Sequence, residues 1–273
     1  MPTHAPIPTT TGELLFQDYL EAMQYSYGFE RAFPGKSKRP DYTVTKNGVF
    51  LFDVKDFAPC NILGFGAYDP YSRIREKIEE GRRKFKEYKE FPCSIVLWNN
   101  GRPLLHLHKP GIVLGAMYGD TGFKLPIDIA TGTACGELEP AFLGRGKMLR
   151  YGDGDNAKNK TISALITLRH VRVGDLRSDR IWKERKRIDK SFGKLDPITA
   201  VQEVFDEAAK RYPNFDAEET QLGVIVWENA VARIPLSRDL FTGPYDERWG
   251  YEDRHQRIVF RGEKLAGLSE DET

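Results

Sequence analysis

Hydrophobic residues recur at helical spacing in two N-terminal segments of the chain. The first segment begins at Thr10, whose spacing to Glu13 is that of a capping box, and continues to about Tyr27, where Gly28 is placed to end it. The second segment extends from about residue 71 to residue 90 and has an apolar stripe between charged faces. Both segments are predicted to be amphipathic helices.

Between the two helices, residues 41–57 carry the pattern of a β-hairpin. Two short apolar runs flank the dipeptide Asn47-Gly48, a strong turn signal. The second run is apolar until it reaches Asp53 and Lys55. Residues two apart in a strand share one face, so these two charged side chains project side by side.

The register of the hairpin decides whether Asp41 joins them. A two-residue loop at Asn47-Gly48 places Asp41 opposite Val54, with its side chain on the other face. A three-residue loop, 46–48, with Gly48 in the left-handed position of a G1 bulge, places Asp41 opposite Asp53. The sequence permits both registers.

Two carboxylates facing each other in a sheet need a cation between them. Like charges directly opposite are destabilising, and burial without a counter-ion costs several kcal/mol per charge. Carboxylate and carbonyl oxygens are the ligands that Mg²⁺ prefers, with water completing the coordination. A lysine beside such a site can orient or deprotonate a water, or neutralise charge on a phosphate.

The remaining pattern predicts further strands. Residues 93–98 read as a buried strand with a partner at 104–108, and residues 120–160 are glycine-rich and read as loop. Further elements are expected at 162–170 (strand), 197–211 (helix), 222–226 (strand) and 257–260 (short strand). The order of elements predicts an α/β fold with a mixed sheet flanked by helices, and a C-terminal α+β elaboration.

The chain shows no linker and no internal repeat. We expect a disordered N-terminus at 1–10, a core at 11–108, and an elaboration at 109–273 packed on the same domain. The three cysteines lack CxxC spacing, and His106 and His108 lack a third ligand, which argues against a zinc site.

The core carries a recognisable signature. Pro40-Asp41, an eleven-residue gap and then Asp53-Val54-Lys55 lie on a hairpin that follows a helix and precedes a helix and a strand. This arrangement resembles the PD-(D/E)xK nuclease superfamily over residues 11–108. The resemblance implies a restriction-endonuclease-like core and a hydrolase, an endonuclease that cleaves phosphodiester bonds.

The resemblance also implies roles for individual residues. Asp41, Asp53 and the Val54 carbonyl would bind Mg²⁺, for which Mn²⁺ can substitute, and Lys55 would lie next to the attacking water. The family often adds a glutamate from the first helix. Glu13 is the preferred candidate and Glu21 the alternative, although Glu13 can instead complete the capping box with Thr10.

DNA is the expected partner, with RNA as an alternative substrate. Candidate phosphate contacts are Arg82 and Arg83 on the second helix and a later basic cluster: Lys183, Arg185, Lys186 and Arg187. A helical charge run of this kind is more often a solvated face, and Glu79/Arg83 and Glu80/Lys84 have the spacing of ordinary ion pairs.

Composition narrows the remaining possibilities. The net charge of +1 is unlike that of a generally basic, histone-type protein, and no apolar run reaches membrane-spanning length, so we expect a cytoplasmic protein without a membrane partner. Double-strand cleavage generally needs two active sites, which favours a homodimer. The alternative to an enzyme is a module of the same fold that binds nucleic acid or protein without turnover.

Overall fold

The computed structural model describes residues 7–59, 69–102, 105–125, 127–136, 139–143, 146–148, 158–172, 206, 220–254 and 257–264. The chain divides into two compact units: Met1–Arg169 together with Val224–Thr273, and His170–Gly223. Every predicted catalytic and metal-binding residue belongs to the first unit. No helix in the described ranges is long and apolar enough to span a membrane.

The elements follow one another in mixed α/β order. The helices are α1 (Thr11–Ala22), α2 (Ser72–Lys84) and α3 (Pro110–Tyr118), with a 3-10 turn at Phe85–Glu87. The strands are β1 (Ser26–Phe29), β2 (Tyr42–Thr45), β3 (Val49–Phe57), β4 (Cys93–Asn99), β5 (Asp120–Lys124), β6 (Glu139–Leu143), β7 (Ile162–Arg172), β8 (Thr220–Glu228), β9 (Glu247–Arg254) and β10 (Arg257–Lys264).

An eight-stranded sheet has the order β1-β2-β3-β4-β7-β8-β9-β10, and β5 and β6 form a separate antiparallel pair. Strands β1 to β3 are antiparallel, whereas β4 is parallel to both β3 and β7. At the other end, β8 and β9 are parallel and β9 and β10 antiparallel. The predicted mixed α/β sheet flanked by helices is therefore confirmed.

Helices cover both faces of the sheet at β3, which explains why this strand is apolar on both sides. On one face, Phe16 of α1 packs against Tyr42 and Phe52, with ring centroids 5.2 and 5.4 Å away. On the other face, the apolar stripe of α2 joins Leu51 and Ile95 in the main core cluster. Because side chains alternate along a strand, Asp53 shares the face of Leu51 and lies beneath α2.

A buried carboxylate fixes α1 to the C-terminal part of the same unit. Asp246 accepts hydrogen bonds from the Tyr19 hydroxyl, from Gly243 N at 2.7 Å and from Val224 N at 3.0 Å. Burial raises the pKa of Asp246 and outweighs these three hydrogen bonds, which lower it. The hydroxyl of Tyr19 is therefore part of a buried hydrogen-bond network that holds α1 in place.

Both N-terminal helices are shorter than predicted. Helix α1 ends at Ala22 because Gln24 adopts a left-handed conformation (φ 55°), and Tyr27 then pairs with Val44 in β1–β2. Helix α2 ends at Lys84 and continues as the 3-10 turn. The apolar stripe continues across that boundary because Phe85 and Tyr88 are three residues apart, the repeat of a 3-10 helix.

The prediction is wrong for the segment after β4. Residues 105–109 form a turn rather than the expected strand, and they lead into α3. Helix α3 was not predicted because its sequence is apolar all round, and its residues 113–118 are all buried. Strands β5, β6 and β9 were also not predicted. The expected helix at 197–211 lies outside the described residues, apart from residue 206.

Candidate active site

The register of the β2–β3 hairpin places Asp41 across from Asp53. Thr45 pairs with Val49 and Tyr42 pairs with Phe52, so the loop is residues 46–48, and the next position aligns the two aspartates. The three-residue loop is thus the register that forms. The conformation differs from the expected bulge, since Asn47 is the left-handed residue (φ 51°) while Gly48 has φ 153°.

The two carboxylates converge on a single ammonium group. Lys84, the last residue of α2, contacts Oδ1 of Asp41 and Oδ1 of Asp53 through its Nζ. Asp53 is fully buried and Asp41 is 9% exposed. Lys84 was not among the predicted site residues, and its expected partner, Glu80, instead pairs with Lys77 at 3.1 Å.

The second oxygens of the two carboxylates have different partners. Oδ2 of Asp41 accepts a hydrogen bond of 2.7 Å from the Val54 backbone N, which fixes Asp41 just before the start of β2. Oδ2 of Asp53 lies 2.9 Å from Nζ of Lys55, an ion pair. That oxygen accepts no hydrogen bond of suitable geometry from the described residues, although it is buried. Lys55 therefore lies where the DxK spacing predicts.

A glycine allows α2 to approach the site closely. A Cβ atom on Gly81 would lie 2.4 Å from Cδ1 of Ile95 in β4, closer than carbon atoms can approach, and 3.9 Å from Oδ2 of Asp53. Gly81 and Lys84 are three residues apart and so lie on one side of the helix. The close contact at Gly81 therefore brings the Lys84 ammonium down onto the carboxylates.

Burial and mutual repulsion dominate the electrostatics of the pair. Burial and the charge of Asp53 raise the pKa of Asp41 to about 6, although Lys84 opposes this rise. Burial lowers the pKa of Lys84, but the charges of Asp53 and Asp41 outweigh it and leave that pKa raised. The two aspartates carry two negative formal charges, and Lys84 and Lys55 carry two positive ones, so the cluster of four side chains is neutral.

Glu13 is not brought to this pair. Its Oε2 accepts hydrogen bonds from Thr9 N at 2.8 Å and Thr10 N at 3.0 Å, so Glu13 completes the capping box of α1. Asp56 fixes the same end of the helix by accepting a hydrogen bond of 3.0 Å from Gly12 N. Asp56 and Asp53 are an odd number of residues apart in β3, so the start of α1 lies on the face opposite Asp53.

Glu21, the alternative glutamate, also lies elsewhere. Its Oε1 accepts hydrogen bonds from the Tyr27 hydroxyl at 2.6 Å and from Nε2 of Gln17 at 3.0 Å. These bonds lower the pKa of Glu21 on the exposed side of α1. The structure therefore brings together Asp41, Asp53 and Lys55 of the predicted residues, and it adds Lys84.

The basic residues of α2 form local ion pairs. Arg82 and Arg83 lie 2.5 and 3.6 Å from Oε1 of Glu79, and both arginines are exposed. These contacts favour the solvated-face interpretation over phosphate binding. Lys183, Arg185, Lys186 and Arg187 lie outside the described residues.

The chain was compared with protein families, curated proteins and solved structures. None of the three comparisons gives a match.

The donor set fits a divalent metal of the Mg²⁺ type. Oδ1 of Asp41 and Oδ1 of Asp53 already converge on one cation, the Lys84 ammonium. Across the described residues no cluster of three or more His, Cys, Asp or Glu side chains is placed to hold a metal. Mg²⁺ does not require such a cluster, since it is commonly held by one or two carboxylates with water and other oxygens.

Proposed function

We propose that this protein is a metal-dependent nuclease that hydrolyses phosphodiester bonds, with DNA as its main substrate. The observation that supports it most directly is the convergence of Asp41 and Asp53 on one cation position, with Lys55 on the second oxygen of Asp53. The sequence motif and the hairpin register point to the same three residues.

In this proposal Asp41, Asp53 and the carbonyl of Val54 hold Mg²⁺ or Mn²⁺. The metal would lower the pKa of a bound water and stabilise negative charge on the phosphate. The hydrogen bond from Val54 N orients the Asp41 carboxylate before any ligand arrives. Glu13 is left out of the centre because its carboxylate serves the capping box.

Lys55 has the position of a group that acts on substrate. Its Nζ is held at 2.9 Å by Asp53, and its side chain is 21% exposed, so the ammonium can also reach solvent. There it can orient a water or donate a hydrogen bond to a phosphate oxygen. The cluster is neutral as it stands, so an added divalent cation gives a net positive charge that attracts a phosphodiester.

A cleavage assay tests the proposal. Supercoiled plasmid, single-stranded DNA and RNA are incubated with the protein and Mg²⁺ or Mn²⁺, with EDTA in parallel. We expect metal-dependent cleavage that falls by about a hundredfold or more in Asp53→Asn and in Lys55→Met. Asp18→Asn and Lys86→Met, which change exposed residues of the same types, are the matched controls.

The outcomes separate the alternatives. Cleavage that persists in both site variants would show that the active site lies elsewhere. Preference for the RNA substrate would support the RNA alternative. Light scattering of the active protein tests the predicted homodimer, since a monomer that cuts both strands would contradict the need for two sites.

One observation favours the non-catalytic alternative, a binding module on the same fold. Lys84 bridges the two carboxylates and makes the cluster neutral without any metal. A module of this kind would retain DNA in a gel-shift assay, with affinity that falls steeply as salt rises, while showing neither metal binding nor cleavage. That combination of results would replace the nuclease proposal.

A further inference from the structure

Lys84 occupies the position that the donor oxygens offer to a cation. One atom, Nζ, contacts one oxygen from each aspartate, of which Asp41 immediately precedes β2 and Asp53 lies in β3. The contact does not depend on the local helix sequence, since Lys84 lies 43 residues from Asp41 and 31 from Asp53. The helix therefore supplies the counter-ion that the hairpin lacks.

We propose that Lys84 is the resident cation of this site and sets its metal affinity, because a divalent ion can bind between Asp41 and Asp53 only when the Lys84 ammonium withdraws. The inference rests on the proposed function only in requiring that the site takes a divalent cation. It assigns Lys84 a positioning role, not a catalytic one.

Electrostatic repulsion and the limited space between the two carboxylates both require that the Lys84 ammonium leave before a divalent cation binds. An ammonium and a divalent cation repel each other, so they cannot both lie in contact with the same two oxygens. Lysine carries its charge on a flexible four-carbon stem, and the Lys84 side chain is 19% exposed, so a route to solvent exists. The helix itself need not move, which matters because Gly81 is already in tight contact with Ile95.

Lys55 does not compete in the same way. Its ammonium lies on Oδ2 of Asp53, the oxygen that Lys84 does not contact, and it is paired with this one carboxylate. Metal binding at the Oδ1 atoms can therefore leave Lys55 in place. The two lysines have different functions in this arrangement: Lys84 is exchanged for the metal, and Lys55 remains beside it.

The first test measures Mn²⁺ binding by isothermal titration calorimetry, with no substrate present. Lys84→Met keeps the length of the side chain and removes the charge, so we expect the Kd for Mn²⁺ to fall about tenfold or more. Lys84→Arg keeps the charge and should stay near the wild-type Kd. Lys86→Met, an exposed lysine two residues further on, is the control and should also match the wild type.

Thermal unfolding of the same proteins supplies a second readout. Without metal, Lys84→Met leaves two buried carboxylates without their shared partner, so its Tm should lie below that of the wild type. Saturating Mn²⁺ should raise the Tm of Lys84→Met more than that of the wild type. A purely structural lysine would lower the Tm by the same amount with and without Mn²⁺, and that result would overturn the proposal.

The wild-type protein provides a test that does not depend on a variant folding. Amine acylation followed by mass spectrometry reports how accessible each lysine is. Mn²⁺ should speed acylation of Lys84 and leave Lys86 unchanged. An unchanged rate at Lys84 in protein that is saturated with Mn²⁺ would overturn the exchange.

The failure of this inference can be told apart from failure of the nuclease proposal. Tighter Mn²⁺ binding by Lys84→Met in a protein that cleaves nothing supports the exchange and removes the nuclease. Metal-dependent cleavage with an unchanged Kd in Lys84→Met keeps the nuclease and removes the exchange. A Lys84→Met protein that folds but binds Mn²⁺ more weakly than the wild type would also overturn it.

Discussion

Replacing Asp41 by asparagine should stabilise the metal-free protein at neutral pH. The folded protein raises the pKa of Asp41 from its ordinary value near 3.8 to about 6, first through burial and then through the charge of Asp53. Each pKa unit corresponds to about 1.4 kcal/mol, so ionising Asp41 costs the folded state about 3 kcal/mol relative to the unfolded chain. Asparagine has nearly the same shape and carries no charge.

The sign of the pH dependence follows from the raised pKa. The contribution of Asp41 to the free energy of unfolding is fully present below about pH 4 and is lost as the pH rises through about 6. The asparagine variant has no ionisable group at this position, so its free energy of unfolding does not decrease in this way as the pH rises. The free energy of unfolding of Asp41→Asn minus that of the wild type should therefore increase by about 2.5 kcal/mol between about pH 4 and about pH 7.5.

Urea unfolding followed by tryptophan fluorescence measures this difference. Both proteins are compared in EDTA at about pH 4 and about pH 7.5, so that titrating groups away from the site cancel in the subtraction. Asp18→Asn, on the exposed side of α1, is the control and should show no such change. A difference between Asp41→Asn and wild type that is constant across this range, or that falls as pH rises, would refute the electrostatic account of the site.

Three further changes test the surroundings of the site. Gly81→Ala should lower the free energy of unfolding by about 1–3 kcal/mol in urea, because its Cβ would meet Ile95; unchanged stability would mean that α2 can shift without penalty. Tyr19→Phe removes the hydroxyl that donates a hydrogen bond to Asp246, and it should lower the free energy of unfolding by about 1–2 kcal/mol in the same assay. An unchanged free energy of unfolding would show that this hydrogen bond does not stabilise the fold. Glu13→Ala should cost about 1 kcal/mol of stability through the lost capping box, with metal-dependent cleavage retained; loss of cleavage in a folded Glu13→Ala protein would return Glu13 to the active site.

Local sequence signals were sufficient where the structure depends on neighbours in the chain. The capping box of α1, the β2–β3 hairpin and the buried strand β4 all follow from patterns within a few residues of one another. The hairpin register did not follow, because the dipeptide Asn47-Gly48 suits a two-residue loop as well as the three-residue loop that forms. The choice between these loops depends on how the whole strand is buried.

Lys84 was missed for a different physical reason. Glu80 lies four residues before it, which is the spacing of an ordinary helical ion pair. The tertiary fold overrides this local partner, since two buried carboxylates attract the ammonium more strongly than one exposed glutamate does. Gly81 was a usable signal, because a glycine within a helix generally marks a close approach to another element.

The position of β4 in the sheet has a consequence for the nascent chain. Strand β4 pairs with β3 on one side and with β7 on the other, but about sixty residues separate its end from the start of β7. At about 5–20 residues per second, ribosomes need several seconds to produce that stretch. During this interval the β2–β3 hairpin and α2 are already available to fold, while one edge of an apolar strand has no partner. Slower synthesis lengthens that interval, so the yield of soluble protein should depend on how quickly β7 emerges.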